Sequence, residues 1–228
     1  MKKIAIIPAR GGSKRIPKKN IRLFCDQPIL AYSIQNALAC KVFDSVIVST
    51  DDEEIAQTAR DYGAQTPFMR PALLASDTTP TLPVIAHALQ EINASNDDLA
   101  CCIYPTAPLL ETEYIILGLQ KLLGNPEKLY AFSCVCFDFT PWRGFLIDNE
   151  NISMLFPEHS STRSQDLAEV YHDAGAFYWG KAGAFLEQKS IFASHSLGIV
   201  LPRMSVQDID TPDDWEIAEI KYKLKHTR

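Results

Sequence analysis

Short, continuous apolar runs alternate along this chain with stretches in which apolar residues recur at every third or fourth position. Runs of this kind predict buried β-strands, whereas the longer spacing predicts α-helices with one apolar face. The predicted strands are residues 3–9, 45–49, 99–104, 130–137, 175–179 and 197–201. Helical periodicity lies between the first four runs and returns at the C-terminus, where Thr211 suits a helix cap and Pro212 a first helical position.

This alternation predicts a three-layer α/β fold, in which a mostly parallel sheet is covered by helices on both faces. With 228 residues, the chain is predicted to form a single domain, residues 1–228. A domain of this size buries about 70–75% of the surface of its unfolded chain. Residues 139–170 interrupt the alternation, since they are polar and contain prolines. They are predicted to form an excursion from the sheet, not a linker to a second domain.

Composition and charge exclude several classes of function. The formal net charge of −6 argues against a general nucleic-acid binder, because such proteins are usually basic. The first apolar run ends at Pro8 and is too short for a signal peptide, and no stretch approaches the ~20 apolar residues of a membrane span. We therefore expect a cytoplasmic protein without a membrane partner. The six cysteines form no C-x₂-C pair, so a structural zinc site is not predicted.

A basic, glycine-containing loop follows the first predicted strand. Gly11 and Gly12 allow backbone amides to approach a polyanion, and Ser13 adds a hydroxyl donor. Five cationic side chains fall within ten residues: Arg10, Lys14, Arg15, Lys18 and Lys19. The end of a strand is where α/β sheets bind ligands, so the loop is a candidate phosphate site. It matches neither the Walker A pattern nor G-x-G-x-x-G, and the alternative is a solvated basic turn.

Two carboxylates near the C-terminus form a candidate metal site. Asp208 and Asp210 are separated by one residue, so in an extended segment both side chains point the same way. Mg²⁺ shared with phosphate oxygens needs only one or two such carboxylates. The alternative is that both residues merely cap the following helix.

The basic loop also carries a family resemblance. Ile-Pro-Ala-Arg-Gly-Gly-Ser-Lys at residues 7–14, with Lys19 and Asn20 after it, resembles the N-terminal signature of the CMP-sialic acid synthetases. Those enzymes have the nucleotide-diphosphosugar transferase fold, which is Rossmann-like, and the related 3-deoxy-manno-octulosonate cytidylyltransferases share a shorter version of the signature. The resemblance extends from residue 3 to about residue 215.

This resemblance implies CTP as a substrate and assigns residues to it. In the family the loop wraps the CTP phosphates, and an arginine in an Arg-Pro-x-x-Leu-x-x-Asp segment reads the cytosine. The matching segment here is residues 70–77, and an exposed arginine before a proline is the alternative. The implied nucleotide-binding residues are Ala9, Arg10, Gly11, Gly12, Ser13, Lys19, Asn20, Arg70, Thr79 and Thr81.

The family chemistry is transfer of CMP from CTP to an acidic nine-carbon sugar, with release of pyrophosphate. The Asp-x-Asp pair of the family holds Mg²⁺, which assigns that cofactor to Asp208 and Asp210. With Arg10 and Lys19, these two residues form the implied catalytic set. The family product is used in glycosylation of flagellin or bacterial surface polysaccharide.

Two segments indicate which sugar is used. Neuraminic acid synthetases usually carry glutamine where this chain has Tyr104, and a site built for one pattern of hydroxyls discriminates against another. Residues 163–167 and 171–180 resemble the branch of the family that acts on pseudaminic acid. The implied sugar-binding residues are Tyr104, Arg163, Gln165, Tyr171 and His172.

Arg163 suits the sugar carboxylate because a guanidinium group can pair with it bidentately. A lone histidine before a strand, such as His172, is more often structural than catalytic. In the family the excursion forms a homodimer and reaches the partner's site, which would explain residues 139–170. Legionaminic or N-acetylneuraminic acid is the alternative substrate, and a CTP-binding regulator without activity is the alternative of another class.

Overall fold

The structure is a computed structural model that describes residues 1–226. The strands are β1 (Lys3–Pro8), β2 (Leu23–Phe24), β3 (Gln27–Pro28), β4 (Ser45–Ser49), β5 (Leu99–Ile103), β6 (Tyr130–Cys136), β7 (Phe145–Asp148), β8 (Asn151–Met154), β9 (Tyr171–Lys181) and β10 (Ser196–Val200). The helices are α1 (Ile29–Ala39), α2 (Glu53–Asp61), α3 (Thr81–Glu91), α4 (Thr112–Leu123), α5 (Ala182–Leu186) and α6 (Pro212–His226). Each of the six predicted strands occurs.

Six strands form one sheet in the order β10-β6-β9-β5-β1-β4. β1 is parallel to β4 and β5, and β10 is parallel to β6, whereas β9 is antiparallel to both of its neighbours. The predicted α/β fold with a mostly parallel sheet is confirmed. Because β1, β4 and β5 run the same way, their carboxyl ends meet at one edge of the sheet, and the amino end of β9 lies at that edge too.

Helices cover both faces of this sheet, as the alternation predicts. On one face, Leu30 of α1, Ile55 of α2 and Leu119 of α4 pack in one buried cluster with strand residues. On the other face, Leu89 of α3 and Phe185 of α5 pack in a second cluster. The central strands are therefore buried on both sides, which is why they consist of continuous apolar runs.

A third apolar cluster joins the basic loop to the C-terminal helix. Ile16 of the loop is 1% exposed and packs with Phe24, Ile209 and Trp215. The rings of Phe24 and Trp215 meet edge to face, with centroids 5.6 Å apart. This cluster fixes the loop that follows β1 against the segment that precedes α6.

The predicted start of α6 is confirmed. Pro212 is its first residue, and Thr211 Oγ1 accepts a hydrogen bond of 3.2 Å from the amide of Asp214. The Asp214 carboxylate in turn accepts from the amide of Thr211 at 2.8 Å, so the two side chains cap the helix reciprocally.

Residues 139–170 leave the sheet and carry the β7–β8 hairpin. Apolar side chains on this segment are exposed, among them Phe139 (89%), Ile147 (70%) and Ile152 (65%). The division into one domain, residues 1–228, with this excursion stays a prediction, and residues 227 and 228 lie outside the described part. Within residues 1–226, no helix combines the length and the apolar content that a membrane crossing requires.

Candidate active site

A cavity of about 390 Å³ opens at the carboxyl ends of β1 and β5. We call it the main cavity. It brings together many of the residues that the sequence analysis assigned to substrates. Those that line it are Arg10, Ser13, Lys19, Asn20, Arg70, Thr79, Thr81, Tyr104 and Asp210. Segments that are up to 200 residues apart in the chain therefore meet at the predicted edge of the sheet.

The basic loop is held in place by hydrogen bonds to its backbone. The amide of Ala9 donates to the carbonyl of Ser49, at the end of β4, over 2.9 Å. The next residue of the loop is held by Asn20, whose side-chain amide donates to the carbonyl of Arg10 at 2.8 Å. Asn20 is only 5% exposed, so this bond is made in a largely dry environment. The loop is thus positioned before any ligand contact is made.

Glycine is required at position 11 because the basic loop passes close to the loop that follows β4. A Cβ atom on Gly11 would lie 2.6 Å from Asp52 Oδ2, whereas one on Gly12 would meet no atom nearer than 3.9 Å. The Gly11 amide also donates to Asp51 Oδ1 at 3.0 Å. Ala9, Gly11 and Gly12 are not among the residues that line the main cavity; they shape the loop that carries Arg10 and Ser13.

Lys19 connects the loop to the C-terminal carboxylates. Its ammonium group donates to the carbonyl of Ile209 at 2.6 Å and lies 3.7 Å from Asp210 Oδ1. Burial lowers the pKa of Lys19, and the charges of Asp210 and Asp208 act in the opposite direction. The cation is therefore partly desolvated, which strengthens its interaction with any anion in the cavity.

Asp208 and Asp210 flank a buried residue. Ile209 is 1% exposed, and its burial turns the two neighbouring side chains outward. Asp210 lines the main cavity and pairs with Arg15 at 2.9 Å, whereas Asp208 is not among the residues that line it. The cap of α6 is supplied by Thr211 and Asp214, so the capping alternative for the Asp-x-Asp pair is not the arrangement that the structure uses.

This carboxylate pair fits a hard dication. Desolvation, followed by the charge of Asp210, raises the pKa of Asp208, so the two anions lie close enough to disfavour each other. A bound cation would relieve that repulsion. Residues 1–226 contain no group of three or more potential metal-ligating side chains, so a metal here would take its other ligands from phosphate and water. Mg²⁺ is commonly bound in that way.

Arg70 is buried, which excludes the alternative of an exposed arginine. It is 6% exposed, and its Nη2 donates to the carbonyl of Ser49. Burial lowers the pKa of Arg70 to about 10, and the charge of Asp51 opposes this effect. Its Nε is buried and has no hydrogen-bond partner among the residues that the structure describes. Since Arg70 lines the main cavity, its guanidinium has donor capacity left for a ligand.

Asp77 is an acidic side chain within the basic lining. Its carboxylate pairs with Arg10 and, at 2.6 Å, with Lys14, and all three residues line the main cavity. Hydrogen bonds from Lys14 and Arg10 lower the pKa of Asp77 to about 2. Two cations of the candidate phosphate loop are therefore already engaged by a carboxylate.

Tyr104 and Thr81 form a polar part of the cavity wall. The Tyr104 hydroxyl and Thr81 Oγ1 are hydrogen-bonded at 2.7 Å, and both residues line the cavity. Burial raises the pKa of Tyr104 to about 12, so the phenol stays protonated at neutral pH. Tyr104, which the resemblance assigns to the sugar, thus lies next to Thr81, which it assigns to the edge of the cytosine.

Four predicted sugar-binding residues are not in the lining of the main cavity. They are Arg163, Gln165, Tyr171 and His172. Arg163 pairs with Asp166 at 2.7 Å on the excursion. The His172 ring packs on Phe137, with centroids 4.6 Å apart, and its Nδ1 lies 2.8 Å from the backbone oxygen of Asp173. His172 therefore meets its neighbour's backbone, and not the carboxylate that a general base would use.

The sequence profile of the cytidylyltransferase family matches residues 4–209. This chain belongs to the cytidylyltransferase family. It is 45% identical over 229 residues to a pseudaminic acid cytidylyltransferase of Campylobacter jejuni, covering 99% of this chain and 98% of the relative. It is 34% identical over 217 residues to an N-acylneuraminate cytidylyltransferase of Escherichia coli, covering 94% of this chain and 51% of the relative.

The fold of this cytidylyltransferase also occurs in solved structures. A CMP:2-keto-3-deoxy-manno-octonic acid synthetase complexed with CTP superposes with a TM-score of 0.74. The alignment covers 99% of this chain and 100% of that one at 15% identity, so the likeness concerns the fold alone. The predicted nucleotidyltransferase fold is confirmed.

Several residues of the cytidylyltransferase site were not predicted. Asp51 accepts a hydrogen bond from the amide of Gly11, and Asp52 lies against Gly11, yet neither carboxylate was among the predicted site residues. Their position soon after β4 was a usable signal for a site residue, since β4 pairs in parallel with β1 and both strands end at the same edge of the sheet. Asp77 gave no separate signal, because its partners Arg10 and Lys14 lie far from it in the chain.

Proposed function

We propose that this cytidylyltransferase transfers CMP from CTP to pseudaminic acid and releases pyrophosphate, in the cytoplasm, for glycosylation of flagellin or a bacterial surface polysaccharide. The observation that carries the proposal is the convergence of Arg10, Lys19 and Asp210 in one cavity that also contains Tyr104. The 45% identity to a pseudaminic acid cytidylyltransferase across nearly the whole chain supports the choice of sugar.

The proposed reaction is an in-line displacement at phosphorus. The anomeric hydroxyl oxygen of the sugar bonds to the α-phosphorus of CTP, and the bond from that phosphorus to the bridging β-phosphate oxygen breaks. The hydroxyl proton is lost, and pyrophosphate takes the electron pair. Negative charge on the phosphate oxygens is stabilised by cations that are already in place. Arg10 and Lys19 supply these cations. Asn20 holds the backbone carbonyl of Arg10, and the carbonyl of Ile209 holds the ammonium group of Lys19.

Asp208 and Asp210 would hold Mg²⁺, which neutralises phosphate charge when it is bound. Lys19 and Arg15 lie against the same pair and limit its net negative charge. Arg70, buried beside the cavity with its Nε unpaired, would bind the cytosine, and Thr79 and Thr81 would lie along the base edge.

The test is pyrophosphate release from CTP and Mg²⁺ by the purified protein, with three sugars offered separately. Pseudaminic acid should be turned over, and legionaminic and N-acetylneuraminic acids should be turned over slowly or not at all. Turnover of one of the other two sugars alone would keep the reaction and overturn the choice of substrate. Binding of CTP without turnover of any sugar would favour the inactive regulator, for which no observation speaks: Lys19, Asp208 and Asp210 are all present.

We also propose that the protein acts as a homodimer, in which the excursion of one subunit completes the site of the other. Residues 139–170 expose apolar side chains that would be covered in such an interface, and exposed patches of this kind commonly mark one. Arg163, Gln165, Tyr171 and His172 lie outside the main cavity of their own chain, and the partner's cavity is where the proposal puts them.

The dimer is tested by replacing the facing hairpin residues Ile147 and Ile152 with lysine. Analytical ultracentrifugation should then show a shift from dimer to monomer, together with a loss of sugar turnover. Leu123→Lys is the control, since Leu123 is an exposed apolar residue of α4 (47%) outside the excursion. A monomer in the unsubstituted protein would rule the proposal out.

A further inference from the structure

The segment that carries Asp208 and Asp210 belongs to no helix or strand. Residues 206–210 run from a short 3₁₀ turn, Arg203–Ser205, towards α6. Neither a strand ladder nor the hydrogen bonds of a helix therefore fixes the two carboxylates. Functional groups have to be held within about 0.5 Å of their working position, so other contacts must place them. We call residues 203–210 the carboxylate segment.

Lys221 of α6 holds the first half of the carboxylate segment. Its ammonium group donates to the carbonyl of Val206 at 2.8 Å and to Gln207 Oε1 at 3.0 Å, and the carbonyl of Arg203 lies 3.5 Å away. A lysine ammonium has three donors, so one side chain can bind several points of the segment. Burial lowers the pKa of Lys221, and the charge of Asp138 acts in the opposite direction. The cation is partly desolvated, which strengthens its bonds to these oxygens.

Lys225 lies one turn further along α6, on the same face of the helix. Its ammonium group donates to Ser205 Oγ at 3.0 Å and to the carbonyl of Leu109 at 3.2 Å. It also pairs with Glu111 Oε1 at 3.0 Å, and the other Glu111 oxygen accepts from the Ser205 hydroxyl at 2.9 Å. Ser205 is only 4% exposed. Lys225 therefore ties the carboxylate segment both to α6 and to the loop that follows β5.

The backbone around Ile209 and Asp210 is held as well. The Asp214 carboxylate of α6 accepts from the amide of Asp210 at 3.1 Å, and Lys19 donates to the carbonyl of Ile209 at 2.6 Å. Asp208 therefore lies between the part of the segment that the lysines of α6 hold and the part that these two contacts hold.

We propose that Lys221 and Lys225 are positioning residues, which hold the carboxylate segment so that Asp208 and Asp210 can bind a dication together with the CTP phosphates. Neither lysine is among the residues that line the main cavity, so both act through the segment and not on a substrate. Without the ammonium group of Lys221, the carbonyl of Val206 would bond to water and the segment would lose this tie to α6. A displacement of ~1 Å can cost about 100-fold in rate. The inference rests on the proposed function for its metal and its nucleotide.

The test replaces each lysine with methionine, which keeps an apolar stem and removes the charge. Calorimetry measures CTP binding twice, with Mg²⁺ and with EDTA, and without a sugar, so that nothing is turned over. The unsubstituted protein should bind CTP more tightly with Mg²⁺. In Lys221→Met and Lys225→Met this gain should shrink at least about 10-fold, the usual effect of removing a group that orients a metal ligand. The dissociation constant in EDTA should stay within about twofold, since the phosphate loop is unchanged.

Lys223→Met is the matched control. Lys223 lies between the two lysines in α6, has a side chain that is 64% exposed, and pairs with Glu219 of the same helix at 3.6 Å. Its replacement should leave the Mg²⁺-dependent gain within about twofold. An equal loss in this variant would mean that the charge of α6 matters, and not the contacts with the carboxylate segment, and the inference would be wrong.

Gln207→Ala tests the same contact from the other side, and it applies even if the lysine variants fail to fold. It removes one acceptor of Lys221 and should reduce the Mg²⁺-dependent gain about 2- to 10-fold.

Three results would overturn the positioning role. They are an unchanged gain in the lysine variants and in Gln207→Ala, an equal weakening of CTP binding with Mg²⁺ and with EDTA, and a lack of any Mg²⁺ effect in the unsubstituted protein. The proposed function fails separately: if the unsubstituted protein shows the gain and turns over no sugar, the reaction is wrong and the positioning role stands.

Discussion

The ammonium group of Lys19 donates a hydrogen bond of 2.6 Å to the backbone carbonyl of Ile209, the residue between Asp208 and Asp210. One bond therefore ties the basic loop to the candidate metal carboxylates across 190 positions of sequence. Lys19 therefore has a second role besides its charge, because it also sets where the carboxylate pair lies relative to Arg10.

Replacing Lys19 with alanine should reduce kcat/KM for the nucleotidyl transfer by about 100- to 1000-fold, the usual cost of removing one positioned donor from a developing anion. Steady-state pyrophosphate release measures this. Lys18→Ala is the control: Lys18 is exposed, and it pairs with Glu54 at 2.6 Å, away from the main cavity. An equal loss in both variants would mean that total loop charge matters, and not the position of Lys19.

Asp210→Asn and Asp208→Asn should each raise the Mg²⁺ concentration for half-maximal activity by at least ~10- to 100-fold. Mutating a residue that only hydrogen-bonds to a metal ligand already lowers metal affinity by about that factor, and replacing a ligand itself should lower it at least as much. Activity is measured across a Mg²⁺ titration. Asp213→Asn, in the first turn of α6, is the matched control. Unchanged Mg²⁺ dependence in all three variants would contradict the assignment of the metal to the Asp-x-Asp pair.

Asp77→Asn should tighten CTP binding by about twofold to fivefold, because the triphosphate would no longer compete with an exposed carboxylate for Arg10 and Lys14. Calorimetric titration with CTP measures the change. The gain should be constant between about pH 5 and 8, since the pKa of Asp77 is lowered to about 2 and the group stays ionised there. Weaker binding would instead make Asp77 a ligand contact or a brace of the loop.

Gly11→Ala should destabilise the protein by about 1–3 kcal/mol, the usual cost of overpacking a close contact. The new methyl group would collide with Asp52, which caps α2 by accepting from the amides of Glu54 and Ile55 at 2.8 and 3.2 Å. Urea unfolding measures the change. Gly12→Ala, with no neighbour nearer than 3.9 Å, should unfold at nearly the same midpoint as the unsubstituted protein. Equal effects at both positions would point to backbone entropy, and not to the contact with Asp52.

Local patterns in the sequence predicted the six strands of the large sheet, because strands buried on both faces must be continuously apolar whatever they pair with, but they did not predict the two short antiparallel pairs, β2–β3 and β7–β8. The bounds differ mainly at β9, where residues 175–179 are the centre of an eleven-residue strand. Its first residues are polar and exposed, yet they pair with the end of β6. Polarity alone does not identify a strand that runs past the core to the edge of a sheet.

The arginine of the base segment illustrates a different limit. The sequence left Arg70 open between an exposed residue and a ligand contact, since a proline follows in either case. Its burial results from its packing at the end of β4, where its backbone amide donates to the carbonyl of Thr50 at 2.7 Å. Ser49 and Thr50, which accept hydrogen bonds from Arg70, lie at the end of β4, and the spacing of residues along the chain does not predict that contact.

The sequence by itself determined the fold class, the position of the basic loop after the first strand, and the Asp-x-Asp pair before the last helix, because each depends on neighbouring residues and on short-range periodicity. The tertiary structure alone decided that Lys19 contacts Ile209 and that Asp77 engages Arg10 and Lys14 of the loop. These contacts join residues of loops that are brought together only by the tertiary fold, at one edge of the sheet. Spacing along the chain carries no information about such distances, since they are set by strand order and by the packing of α6 on the loop.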